Sequence, residues 1–133
     1  MAGAFFLFMF QLLTLNSYLL SLNSYLLSLI SYLLTDMTKH IVMFKLQGSD
    51  QARRETALRF KAALDALPAQ IDVLQSIEVA LNENPAEDWD IVLTAVVPTM
   101  ADVAVYAKHP AHVAAAAIIK DVKELRACVD YNC

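Results

Sequence analysis

Lys39-His40-Ile41-Val42-Met43-Phe44-Lys45-Leu46 is the stretch whose reading decides the fold. β-branched and aromatic residues crowd it, which marks a strand. Side chains alternate across a strand, so His40, Val42, Phe44 and Leu46 share one face and Ile41 and Met43 the other. Both faces are largely apolar, and each therefore needs cover. The helices that follow supply cover for one face, and the reading turns His40 away from them.

Working outward, Gly48-Ser49-Asp50 is a turn that carries a helix N-cap candidate. The run to Leu67 is helical, with Ala57, Phe60, Leu64 and Leu67 falling on one inward stripe. Pro68 stops it. A second strand is expected over Ile71 to Leu81, with Ile71, Val73, Ile77, Val79 and Leu81 on one face. The polar loop 82–88 follows, then a third strand from Trp89 to Val97, apolar on both faces and ended by Pro98. A short helix over Met100 to Lys108 leads to His109-Pro110. A longer helix is expected to run to about Arg126, with Ala114, Ile118, Val122 and Leu125 as its stripe. Cys128 to Tyr131 reads as a short last strand. The order β-α-β-β-α-β is the ferredoxin-like α+β arrangement, whose helices lie on one side of the sheet. The second apolar face then has only another copy of the chain to cover it, and a homodimer is expected.

Composition narrows the function. The chain has 133 residues, 58% hydrophobic, and a formal net charge of −4, so it is not disordered and carries no clustered basic footprint for nucleic acid. It has 2 glycines, too few for a phosphate-cradling loop or a nucleophile elbow. The 2 cysteines, Cys128 and Cys133, stand about 16 Å apart in an extended strand, too far to bridge. A reduced, cytoplasmic protein is the expectation.

Residues 1–36 differ from the rest. Ala2 to Thr35 contains no Asp, Glu, Lys, Arg or His, and every Lys and Arg lies after residue 38. Seven residues repeat: Ser17-Tyr18-Leu19-Leu20-Ser21-Leu22-Asn23, Ser24-Tyr25-Leu26-Leu27-Ser28-Leu29-Ile30, then Ser31-Tyr32-Leu33-Leu34. The stretch exceeds the roughly 20 residues that span a bilayer, so 5–34 reads as a membrane anchor. A coiled coil would need charged flanking positions, and a signal peptide a basic start and a small-residue cleavage site. The reading preferred here is an upstream extension or mis-set start made by tandem duplication, with Met37 opening a self-sufficient domain over 37–133.

The chemistry rests on the histidines 40, 109 and 112. His109 and His112 flank Pro110, and no Cys or carboxylate falls at ligand spacing beside them, so no metal is expected. In the plainer reading His109 caps a helix and His112 is a hydrogen-bonded core histidine. In the sharper one His112 moves a proton, and Tyr106 supplies a phenol to the same pocket. Val42, Phe44, Ile91 and Leu93 with a few polar groups have the make-up of a small-molecule site.

The strand Lys39 to Leu46, the element Val105-Tyr106-Ala107-Lys108-His109-Pro110-Ala111-His112-Val113 and the ending Val129-Asp130-Tyr131 together resemble the stress-responsive A/B barrel (Dabb) family. The resemblance spans residues 37–133. It implies a dimeric α+β barrel closing two sheets around a cavity. One plant branch of that family is a polyketide cyclase with a Tyr–His dyad. The match to that branch implies His112 as general base, Tyr106 as its partner and His40 as a substrate-binding group, with His109 beside them and no cofactor. The dyad is shared too widely in the family to carry the activity with it. The function expected is therefore binding of an apolar or carbonyl-bearing small molecule, with cyclase-like lyase or isomerase chemistry as the alternative.

Overall fold

The structure, a computed structural model, describes residues 1–33 and 36–133. It divides into two compact units, Met1–Thr35 and Asp36–Cys133.

The first unit is one helix, α1 (Ala2–Leu33), with Ala2–Ile30 long and apolar enough to cross a membrane by length and composition. Among its described side chains all are exposed. Leu34 and Thr35, the end of the uncharged stretch, lie outside the described residues.

The second unit runs β1 (Thr38–Leu46), α2 (Asp50–Asp65), β2 (Ser76–Leu81), β3 (Ile91–Val97), α3 (Met100–Lys108), α4 (Pro110–Ala117) and β4 (Lys123–Asn132). The strands form one antiparallel sheet in the order β2-β3-β1-β4, the ferredoxin-like topology. The turn and cap read at Gly48-Ser49-Asp50 act as expected. Gly48 takes φ +116°, which a side chain would oppose, and turns the chain into α2. Ser49 caps α2 by accepting from the Ala52 N–H. Ala57, Phe60, Leu64 and Leu67 are buried under the sheet, each large side chain contributing about 1.5–3 kcal/mol. Thr99 and Asp102 form a reciprocal capping box that starts α3.

The register assigns the faces. His40, Val42, Phe44 and Leu46 stand opposite Asp130, Cys128, Arg126 and Lys123 on β4, while His40, Val42 and Phe44 face Ala95, Leu93 and Ile91 on β3. This is the face packed on the helices: Phe44 meets Phe60 of α2 edge-on at 5.5 Å, and His40 meets Tyr106 of α3 at 6.0 Å. The expectation that His40 looks away from the helices is thus overturned. Alternation says which residues share a face, but with both faces apolar it does not say which one the helices choose. The other face carries Ile41, Met43, Val92 and Val96, half-buried, and the exposed Val129 and Tyr131.

Three boundaries also move. Ile71–Gln75 is a turn rather than the start of β2: the Ile71 N–H donates to the Leu67 carbonyl and the Leu74 N–H to that of Ile71. Ile71 and Leu74 are buried at that i, i+3 spacing. β3 begins at Ile91, not Trp89, because the Asp90 carboxylate takes the Leu46 N–H at 2.7 Å. The last helix stops at Ala117 rather than near Arg126. Turns over Ile118–Val122 follow, and the segment expected to be helical becomes the first half of a ten-residue strand. Pairing along the whole of β1 outweighs the modest helix preference of Lys123–Arg126.

Candidate functional site

α3 and α4 meet at His109-Pro110, and this junction builds the site. His109 has extended backbone, and its Nδ1 accepts the Ala111 N–H at 3.1 Å, capping α4. Pro110 occupies the first helical position, where its missing N–H costs nothing. The break redirects the chain so that Tyr106, at the end of α3, and His112, in the first turn of α4, come together with ring centroids 4.6 Å apart.

His112 donates from Nδ1 to the Ala107 carbonyl at 2.9 Å. That bond fixes the tautomer and leaves Nε2 with its lone pair. Burial holds the pKa of His112 below the ordinary value for histidine, and the neighbouring His40 and Arg126 push the same way against the helping Ala107 bond. A neutral imidazole is what a base needs. Tyr106 is fully buried, its hydroxyl finds no hydrogen-bond partner among the described residues, and burial pushes its pKa up to about 12. It is therefore a phenol at neutral pH, able to donate but not to act as a phenolate.

His40 lies on the far side of Tyr106. Its Nδ1 is 2.5 Å from the Asp130 carboxylate and 3.6 Å from the Cys128 sulfur. Each of the three offers one ligand atom within 4.8 Å of the others. An N–H donated to the carboxylate accounts for the closest contact of this set.

Above the histidines lies a cavity of about 200 Å³ between sheet and helices, lined by His40, Val42, Phe44, Phe60, Leu93 and His112 among others. Of the residues expected to form the site, His40, His112, Val42, Phe44 and Leu93 are brought to this wall. Tyr106 lies beneath it, in contact with both imidazoles rather than on the lining. His109 is used as a helix cap, and Ile91 is buried in the core without lining the cavity. Lys123 and Arg126, which also line the cavity, escaped the sequence reading because they were placed on a helix. Simple alternation would set Lys123 and Arg126 on opposite faces; the register shift at Lys45/Leu46 is what pairs them with the inward residues Leu46 and Phe44, and no local spacing signals it. A wider hollow of about 600 Å³ opens between the start of α2 and loop 82–90, but it is polar and holds no histidine. Its central cation, Arg53, is spent on Asp50 at 2.7 Å and Asp90 at 3.2 Å.

This geometry has known counterparts. The family model described as the Stress Responsive A/B Barrel Domain matches residues 38–133. A dimeric protein of unknown function and ferredoxin-like fold from Bacteroides fragilis is 47% identical, with a TM-score of 0.71. The match covers 73% of this chain and 96% of that one. That protein has little beyond the matched domain, so this fold forms without a counterpart of α1. A Dabb family protein from Mesorhizobium loti is 23% identical over 72% of this chain and 95% of its own, with a TM-score of 0.58. A hydroxynitrile lyase from Passiflora edulis shares the fold at 13% identity and a TM-score of 0.59, over 74% of this chain and 94% of its own. A search of the curated proteins finds no match. Over residues 38–133, the chain belongs to the stress-responsive A/B barrel (Dabb) family.

Proposed function

We propose that the domain is a homodimer that binds a small apolar or carbonyl-bearing molecule, one in each protomer's cavity between sheet and helices. The observation that carries this is the lining: apolar walls from Val42, Phe44, Phe60 and Leu93 with two imidazoles set into one side. The apolar outer face of the sheet supports the dimer, as do relatives described as dimeric. The free, exposed cysteines agree with a reducing, cytoplasmic setting for the domain. The apolar repeat over 1–36 is read as an upstream extension, and α1 supports a membrane anchor as the competing account.

Native mass spectrometry of residues 37–133 purified from cells tests the proposal. The expected result is a dimer carrying a bound molecule of a few hundred daltons, absent from Ala116→Phe, which fills the cavity from α4. An adduct equally present in that variant would place the ligand elsewhere.

A second reading is favoured by the neutral His112 and the partnerless Tyr106 phenol. In it the site catalyses proton transfer next to a carbonyl. His112 Nε2 takes the α-proton, the electron pair moves onto the carbonyl oxygen as an enolate, and the phenol stabilises the paired imidazole. A lyase occurs within this fold, the Passiflora edulis enzyme. Deuterium exchange at the α-carbons of cyclohexanone in D₂O reads this step directly. Faster exchange than buffer, lost in His112→Asn, is the expected result, and equal rates in both proteins would contradict it.

A further inference from the structure

We infer that the ligand is a small amphipathic monocarboxylate, its carboxylate held by Lys123 and Arg126 at the cavity mouth and its apolar body lying against Phe44, Phe60 and Leu93. This deepens the binding proposal above and rests on it.

Three observations point to an anion. First, Lys123 and Arg126 both line the cavity, and both stand on the inward face of β4, opposite Leu46 and Phe44. Second, among the described residues neither makes an ion pair or a side-chain hydrogen bond, so both exposed cationic heads are available to a ligand. The acids on their own strand are engaged elsewhere: Glu124 lies 3.5 Å from Lys45 on the other face, and Asp130 holds His40. Third, among the described residues no acidic one lines this cavity. An anion entering it meets cations and neutral imidazole, with nothing to repel it.

The apolar walls set the rest of the ligand. They exclude a highly charged phosphate ester, whose other groups would be desolvated without partners. They suit an alkyl or aryl body of a few carbons. A guanidinium binds a carboxylate through two parallel hydrogen bonds, and a lysine beside it adds a flexible point charge. Such a carboxylate, held by the two cations, leaves its carbon chain to the apolar walls of the cavity that His112 also lines.

The test compares ligands that differ only in charge. Residues 37–133 are titrated with the straight-chain acids from pentanoate to nonanoate and with the primary amides of the same lengths, following binding by NMR. The acid should bind at least about tenfold more tightly than its amide at low salt, the advantage shrinking as salt is raised. In the double variant Lys123→Gln, Arg126→Gln the advantage should fall to about twofold or less while the amide's affinity stays unchanged. Equal binding of acid and amide to the unmodified domain would overturn the inference and leave the cavity proposal standing. Binding of neither, at any chain length, would overturn both.

Discussion

At the residue scale, Tyr106 and His112 carry opposite expectations for stability. The Tyr106 hydroxyl is buried without a partner, so it costs free energy that the fold recovers elsewhere. Tyr106→Phe should leave stability unchanged or raise it by up to about 1 kcal/mol in urea unfolding. It should also slow any α-proton exchange that depends on the phenol. A loss of stability in that variant would show that the hydroxyl has a partner after all. His112 has its pKa lowered by burial, so between that lowered value and about 6.5 the unfolded chain binds more protons than the folded one. Stability should therefore rise with pH across that window and level off above it. His112→Asn should flatten that rise; an unchanged pH profile would contradict the assignment. Much of this was legible in sequence. His-Pro at a helix start announces a cap, and Tyr106 and His112 lie close enough along the chain to meet across one junction. That the phenol would sit beneath the cavity, not on its wall, depends on how α3 settles on the sheet, and spacing carries no such information.

Among the elements, β1 and α2 were readable because several signals agree: β-branched alternation in one, and cap, stripe and stop in the other. The last third was not. Pro110–Arg126 has a plausible helical stripe, yet its second half is recruited to the free edge of β1, a long-range demand that local periodicity does not register. Misplacing that boundary also hid Lys123 and Arg126, since on a helix they read as solvated surface. α3 depends on its start. Thr99→Ala removes one half of the capping box and should cost about 1 kcal/mol, measured by denaturant unfolding. Because α3 carries Tyr106, the same variant should also loosen the Tyr106–His112 contact, seen as faster amide exchange at the α3–α4 junction. No change in either would mean the box contributes nothing to holding the site.

At the scale of the whole molecule, the sheet has two apolar faces. One is filled by α2, α3 and α4 around the cavity, and the other offers Ile41, Met43, Val92, Val96 and Val129. Val129→Lys sets a charge opposite Ile41 and diagonal to Lys39 on an otherwise apolar patch, so it should shift the dimer toward monomer in sedimentation equilibrium. An unaltered dimer would move the interface off this face. Two-facedness was legible in the first strand alone, and so was the need for a second copy. Which face holds the cavity was not, and that choice is the centre of the account. It is tested most directly by methyl NMR of residues 37–133 titrated with cyclohexanone. The predicted result is that the resonances of Val42, Leu93 and Ile119, which line the cavity, move together while those of Ile41, Met43 and Val129 stay still. Shifts confined to the second group would contradict it and return the ligand to the space between the two sheets.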